Sequence, residues 1–184
     1  MFFEKLFSLS IIIILLPILF LISIIIYLSD GFPIIYKQDR VGLNGKVFKI
    51  FKFRTMKNNT PLLSTNEFIN YNNYLIKGGS FLRRYSLDEI PNIFNIMLGD
   101  LSFIGYRPAL KTQKILNKKR MQLGILNNKP GITGLAQISG RDSLNDLQKI
   151  DYELKYISEK SFILRMRILF LTFLMLVKPN NIKA

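Results

Sequence analysis

Apolar residues are concentrated at the start of the chain. Between Leu6 and Leu28 the only polar groups are three serines and one tyrosine hydroxyl, and about 20 apolar residues in a helix cross a bilayer. Lys5 precedes the segment as in a signal peptide, but no small-residue cleavage site follows, so we expect a retained anchor over residues 1–30. Pro17 predicts a kink or break. The residues alone favour a kinked spanning helix over a helix that turns back at Pro17.

Two β-rich runs follow the anchor. Asn44-Gly45 separates them and predicts a hairpin whose second strand is Val47–Phe53. Residues 62–77 are polar and weakly patterned, which is typical of a loop or a loose helix. Gly78-Gly79 then breaks the chain.

The second half of the chain has mainly helical spacing. Residues 90–98 predict a helix that stops at Gly99. Helices are also predicted at 109–126 (basic), 144–160 (charged) and 162–177 (apolar, but short for a span), with a turn-rich loop at 130–134. The expected fold class is therefore α+β and mostly helical, with a membrane helix, a small β-hairpin and several amphipathic interfacial helices.

Composition narrows the chemistry. The chain has 26 lysines and arginines against 12 acidic residues, a formal charge of +14, and neither cysteine nor histidine. The expected partners are anionic: nucleic acid, acidic lipid or a phosphorylated small molecule. Thiolate nucleophiles, Ser-His triads and Cys/His zinc sites are excluded. Catalysis must use carboxylates, lysine, arginine, hydroxyls or a metal held by oxygen ligands.

Asp88 and Glu89 are the acidic pair with the most informative context, Arg83-Arg84-Tyr85-Ser86-Leu87-Asp88-Glu89-Ile90-Pro91. Ser86 and Glu89 have capping-box spacing before an apolar helix, and a helix cap is the stronger single explanation. Pro91 fits poorly at the fifth position of such a helix. The cap also leaves Asp88 without a role.

The functional alternative uses both carboxylates. Asp88 is a candidate nucleophile towards phosphorus, and its neighbour Glu89 could hold Mg²⁺ together with substrate phosphates. Arginine and lysine bind phosphate oxygens, although any single one is more often a solvated surface charge. The phosphate-binding candidates are Lys52, Arg54, Arg83, Arg107 and Arg141.

Several motifs together resemble the small monotopic phosphoglycosyl transferases, the bacterial sugar transferase family. The resemblance covers nearly the whole chain. The motifs are Gly31-Phe32-Pro33, Gln38-Asp39-Arg40-Val41-Gly42, Phe51-Lys52-Phe53-Arg54-Thr55-Met56, Phe81-Leu82-Arg83, Ser86-Leu87-Asp88-Glu89-Ile90-Pro91, Gly99-Asp100-Leu101-Ser102-Phe103, Arg107-Pro108, and Pro130-Gly131-Ile132-Thr133-Gly134 with Ala136-Gln137 and Gly140-Arg141.

The resemblance implies transfer of a sugar-1-phosphate from a UDP-sugar to undecaprenyl phosphate, with release of UMP. It implies that Asp88 forms a covalent phospho-sugar intermediate and that Glu89 is associated with Mg²⁺. It also implies a re-entrant membrane helix at 1–30, broken at Pro17, and a catalytic domain at 31–184 on the cytoplasmic face of the bacterial inner membrane. The short N-terminal region resembles that of the minimal members.

Some positions depart from the family pattern. Leu16 precedes Pro17 where the family has serine, Tyr106 replaces a proline before Arg107-Pro108, and Glu153 and Arg165 stand at usual aspartate positions. A different class of function is a membrane-tethered basic module that binds acidic lipid or nucleic acid without catalysis. That class gives no reason for an Asp-Glu pair among arginines, so we expect no nucleic acid partner.

Overall fold

A computed structural model describes residues 2–58, 60, 71–140 and 143–177. Helix α1 runs from Phe2 to Asp30 with Pro17 inside it. The predicted break at Pro17 therefore does not interrupt the helix. Within the described ranges, this is the only helix whose length and composition would allow it to cross a membrane.

One face of α1 packs against the rest of the chain along most of its length. Ile12 joins a core cluster that contains Ile50 and Ile96, and Ile22 and Ile26 join a second cluster around Phe53. The other face exposes large apolar side chains, namely Phe3, Leu6, Phe7, Leu9, Ile13, Ile14, Leu16, Ile18, Phe20, Leu21, Ile24, Ile25, Tyr27 and Leu28. Such an extended apolar surface is typical of contact with lipid or a partner.

Both ends of α1 contact the same domain. Near the start of the helix, the Ser102 hydroxyl donates a hydrogen bond to the Glu4 carboxylate at 2.6 Å. Near its end, the Lys77 backbone N–H donates to the Ser29 hydroxyl at 3.0 Å. The helix thus lies alongside the domain rather than projecting from it.

The predicted hairpin is confirmed. Strands β1 (Ile35–Val41) and β2 (Val47–Phe53) are antiparallel. In the connection Asn44 and Gly45 have φ of 52° and 77°, the left-handed conformation that this residue pair tolerates best. Because side chains alternate along a strand, the pairing places Arg40 and Lys52 on the same face of the hairpin.

The acidic pair lies on a short turn between two helices. A 3₁₀ turn at Tyr71–Tyr74 is followed by α2 (Gly79–Arg84), a 3₁₀ turn at Leu87–Glu89 and α3 (Asn92–Leu98), which ends at Gly99 as predicted. The predicted capping box between Ser86 and Glu89 is wrong. Ser86 has a φ of 53° and its side chain makes no capping hydrogen bond, and Pro91 precedes α3 instead of lying inside a helix.

The loop predicted at 130–134 contains a strand. β4 (Gly131–Thr133) pairs in parallel with β3 (Ser102–Ile104), and neither strand was predicted. A Cβ on Gly131 would lie 2.1 Å from the backbone nitrogen of Gly105, and one on Gly134 would lie 2.0 Å from the Gly105 oxygen. Only glycine permits this close approach of the two backbones.

The remaining helices complete the domain: α4 (Lys114–Gln122), a 3₁₀ turn at Ile125–Asn127, α5 (Leu135–Ser139), α6 (Asp146–Ser158) and α7 (Phe162–Val177). Helix α4 is shorter than the predicted 109–126. Helix α7 has the predicted bounds, and of its residues only Ile168 is fully buried. The predicted charged helix is α6, which begins with a capping box between Asn145 and Gln148.

Candidate active site

The 3₁₀ turn directs two adjacent carboxylates into different surroundings. The turn starts directly after Ser86, whose left-handed backbone redirects the chain out of α2. Asp88 is 8% exposed and the Glu89 side chain 13% exposed. Both are thus largely removed from water, where charge interactions are stronger than at a surface.

Glu89 is held by two cations from distant parts of the chain. The Lys52 Nζ atom of β2 donates to Glu89 Oε1 at 2.8 Å, and Arg107 Nη2 donates to the same oxygen at 2.7 Å. Burial alone would raise the pKa of Glu89. The charges and hydrogen bonds of Arg107 and Lys52 outweigh it and hold the pKa well below its usual range. Glu89 is therefore a permanent anion near neutral pH.

Asp88 has no such partners. Among the residues that the structure describes, its carboxylate forms no ion pair and accepts no hydrogen bond. Burial raises the pKa of Asp88, and the Glu89 charge adds to this, while Lys52, Arg83 and Arg107 act in the opposite direction. The two neighbouring carboxylates thus have pKa values displaced in opposite senses, which is typical of groups with different chemical roles.

Arg83 and Arg40 complete the basic surroundings. Arg83 Nε donates to Thr55 Oγ1 at 2.9 Å, and its charge acts on both carboxylates. Arg40 of β1 lines the same small cavity as Lys52, Glu89 and Arg107. Sequence reasoning assigned Arg40 no role. The register of the hairpin could have indicated a role, because it places Arg40 on the same face of the hairpin as Lys52.

One predicted phosphate-binding residue, Arg54, does not line this cavity. Arg54 is 5% exposed, and its guanidinium donates to the carbonyl oxygens of Asp30 at 2.9 Å, Gly31 at 2.7 Å and Phe32 at 3.2 Å. These bonds cap the end of α1, and the phosphate-binding role of Arg54 stays a prediction. Arg141 lies outside the described residues.

The oxygen ligands in the cavity fit a magnesium ion. Glu89 Oε2 receives only a long contact of 3.4 Å from Arg107 Nη1, and a carboxylate oxygen has further lone pairs to offer. The buried Asn92 Oδ1 has no hydrogen-bond partner in the described part of the chain and lines the same cavity. Magnesium usually takes one or two carboxylates, with waters and substrate phosphates as its other ligands. No cluster of three or more acidic ligands occurs among the described residues.

Comparison with known proteins identifies the class. The model of the bacterial sugar transferase family matches residues 1–179. An uncharacterized sugar transferase, EpsL of Bacillus subtilis, is 39% identical over 84% of this chain and 75% of its own length. The exopolysaccharide production protein ExoY of Sinorhizobium fredii is 32% identical over 92% of this chain and 81% of its own. The chain belongs to the bacterial sugar transferase family, and it is an enzyme of the phosphoglycosyl transferase class.

A longer relative is named for the reaction that it catalyses. The UDP-glucose:undecaprenyl-phosphate glucose-1-phosphate transferase of Escherichia coli is 36% identical over 85% of this chain. The match covers only 35% of that relative, so this chain spans about a third of its length.

Proposed function

We propose that this enzyme transfers a sugar-1-phosphate from a UDP-sugar to undecaprenyl phosphate, through a covalent intermediate on Asp88. The observation that carries the proposal is the contrast within the dyad. Glu89 is paired with Lys52 and Arg107, whereas Asp88 is buried beside the same cations and its carboxylate forms no ion pair with any residue that the structure describes. A nucleophile needs a free lone pair, and Asp88 has one.

The reaction consists of two displacements at one phosphorus atom. An Asp88 carboxylate oxygen attacks the β-phosphorus of the UDP-sugar, and the bond to the oxygen bridging the two phosphates breaks. UMP leaves with that bond's electron pair, and the phospho-sugar remains on Asp88 as an acyl phosphate. An oxygen of undecaprenyl phosphate then attacks the same phosphorus. Asp88 is released as a carboxylate, and the product is undecaprenyl-diphosphate-sugar.

The cations of the site suit a reaction between two negatively charged groups. An anionic carboxylate approaches an anionic diphosphate, so positive groups nearby lower the repulsion. Lys52 and Arg107 already face the dyad, and Arg83 and Arg40 add two further charges. Mg²⁺ held by Glu89 and Asn92 would neutralise the phosphates and stabilise the leaving UMP oxygen.

For the membrane arrangement we infer that α1 enters and leaves on the same side of the inner membrane, with the catalytic domain on the cytoplasmic face. A helix of 29 residues is about 44 Å long, which exceeds a hydrocarbon core of about 30 Å. If it crossed the bilayer alone, its ends would lie on opposite sides. Both ends contact one domain through Glu4 and Ser29, which supports a monotopic arrangement.

The covalent intermediate is directly testable. Purified enzyme is incubated with Mg²⁺ and a panel of UDP-sugars labelled in the β-phosphate, without acceptor, and the intact protein is weighed by mass spectrometry. We expect a phospho-sugar adduct and release of UMP in equal amounts, and loss of the adduct on addition of undecaprenyl phosphate. No UMP from any UDP-sugar in the panel would refute the transferase proposal for these donors.

The matched control is Asp88→Asn, which keeps the shape of the side chain and removes its nucleophilic charge. An adduct that forms equally in Asp88→Asn would refute Asp88 as nucleophile while leaving the overall reaction intact. The topology has its own test. Cysteines at Phe3 and at the exposed Lys46 should be labelled from the same membrane side, and labelling from opposite sides would show that α1 spans the bilayer.

A further inference from the structure

A second cavity lies apart from the dyad and has its own basic lining. Its volume is about 130 Å³, well above the roughly 10–15 Å³ needed for one water, and it shares no lining residue with the cavity at Glu89. Lys129, Lys160 and Arg165 line it. None of the proposed reaction steps uses these residues.

The three cations are not neutralised by carboxylates. No ion pair in the described ranges involves Lys129, Lys160 or Arg165; Lys160 Nζ donates to the neutral Asn128 Oδ1 at 2.6 Å. Glu153 is the one acidic residue in the lining, and it accepts a hydrogen bond from Arg120 Nε at 2.9 Å. The cavity therefore retains an excess of positive charge.

Further groups around the cavity favour an anion. Tyr106 lines it and is 3% exposed, and its buried hydroxyl has no hydrogen-bond partner in the part of the chain that the structure describes. A buried donor without a partner is costly unless a ligand or water satisfies it. Lys129 of the lining also has a second ammonium group near it, because the Nζ atoms of Lys5 and Lys129 lie 3.6 and 3.7 Å from where a Cβ on Gly99 would be.

The cavity lies where two apolar helices begin. Ser102 lines it and donates to Glu4 in the first turn of α1. Arg165 lies in the first turn of α7, whose Phe162, Phe170 and Phe173 are 61–77% exposed. The ends of membrane helices lie at the level of lipid headgroups, and basic pockets between helices at that level bind anionic headgroups.

We propose that this cavity binds the phosphate of an anionic phospholipid headgroup, held by Lys129, Lys160 and Arg165. The chemistry recognised is a phosphate ester, which a soluble compound shares. The position beside the starts of α1 and α7 favours the lipid. The site is separate from the dyad, so the proposal stands or falls independently of the proposed reaction.

The test counts lipid molecules retained by the full-length protein. Protein from bilayers of equal phosphatidylcholine and phosphatidylglycerol is transferred to detergent and analysed by native mass spectrometry. We expect one retained phosphatidylglycerol per chain, and about tenfold lower occupancy in the triple variant Lys129→Gln/Lys160→Gln/Arg165→Gln, because charge-assisted bonds to phosphate are lost. Unchanged occupancy in that variant would overturn the proposal.

Two further variants exclude other causes. Lys111→Gln/Lys114→Gln/Lys118→Gln removes the same charge from exposed positions in and beside α4 and should keep the lipid; an equal loss there would show non-specific attraction and overturn the site. Lys129→Arg/Lys160→Arg/Arg165→Lys retains the charges and should keep the lipid if the site is intact. Full displacement of the lipid by soluble glycerol phosphate would contradict the lipid assignment and identify a soluble phosphate ester as the ligand.

Discussion

Two buried clusters of carboxylates and cations in this enzyme are built from the same residue types but have different roles. In the first, Glu153 of α6 meets Arg120 of α4, with 2.9 Å between Arg120 Nε and Glu153 Oε2 and a second bond from Nη2 to Oε1. The side chains are 2% and 3% exposed. In the second, Glu89 is paired with Lys52 and Arg107, but its neighbour Asp88 has no ion-pair partner in the described part of the chain.

The difference shows how to separate a structural ion pair from a reactive one. The Arg120–Glu153 pair is bidentate and both of its charges are compensated within the pair, and Arg120 also donates to the Arg107 carbonyl at 3.1 Å. It positions the backbone beside the active site. The dyad has several cations around two carboxylates, and within the described ranges one carboxylate, Asp88, forms no ion pair. A buried carboxylate without an ion-pair partner, which a stable core avoids, indicates a place for substrate.

The largest effect on activity is expected from a substitution of Asp88. Asp88→Asn should lower UMP release by about 10³-fold or more, since it removes the nucleophile. It should not lower stability, because it removes a charge that burial disfavours. Activity assays and denaturant unfolding in detergent measure the two effects. A variant that is much less stable than wild type would show that Asp88 has a structural role.

For the Arg120–Glu153 pair, the main expected effect is on stability. Glu153→Leu leaves Arg120 as a buried charge without its carboxylate partner and should lower the free energy of unfolding by about 3–5 kcal/mol. Arg120→Met combined with Glu153→Leu should recover most of this loss, since a buried ion pair can often be replaced by apolar residues. Denaturant unfolding curves of the single and the double variant measure both effects. A double variant as unstable as the single one would mean that the pair stabilises the fold by more than charge compensation.

The geometry of Arg107 should matter beyond its charge. Arg107→Lys keeps the positive charge but loses the planar fork that contacts both Glu89 oxygens at 2.7 and 3.4 Å. We expect kcat/KM to fall by about 10- to 100-fold, with little change in unfolding. Arg107→Gln should be still less active. Equal activity of the lysine variant and wild type would assign Arg107 a purely electrostatic role.

The pH dependence should report Asp88. The nucleophile must be deprotonated, and burial raises the pKa of Asp88 above its ordinary value of 3.8. Activity should therefore fall as the pH falls through this raised pKa, at a higher pH than for an ordinary aspartate. Lys52→Gln removes a charge that lowers the pKa of Asp88, so the acid limb should move to higher pH. Lys49→Gln, on the opposite face of β2 and paired with Asp39, is the matched control and should leave the limb unmoved.

The smallest effect is expected at the start of α6. Asn145→Ala removes the cap that accepts from the Gln148 N–H at 2.9 Å and should cost about 1 kcal/mol of stability. Asn145→Asp should be close to neutral. A loss in Asn145→Ala as large as that of Glu153→Leu would erase the distinction between an exposed cap and a buried pair.

Local patterns predicted much of the fold. The apolar run at the start, the Asn44-Gly45 turn, the stop at Gly99 and the bounds of α7 each depend on residues close in sequence, and each is confirmed. The parallel pairing of β3 with β4 was missed because three-residue strands carry too little pattern to recognise. The Ser86 capping box was wrong because the left-handed φ of Ser86 turns its backbone away from the helix-cap geometry.

The sequence by itself determined the chemical inventory: an apolar helix, no cysteine or histidine, an excess of basic residues and the Asp88-Glu89 pair. Only the tertiary structure decided what each charge does. It placed Lys52 and Arg107 against Glu89 and gave Asp88 no ion-pair partner among the described residues. It also placed Arg40 in the lining of the cavity at Glu89 and the Arg54 guanidinium at the end of α1. The physical reason is distance along the chain. A carboxylate's pKa depends on cations that lie next to it in space, and here they come from elements 18 and 37 residues away.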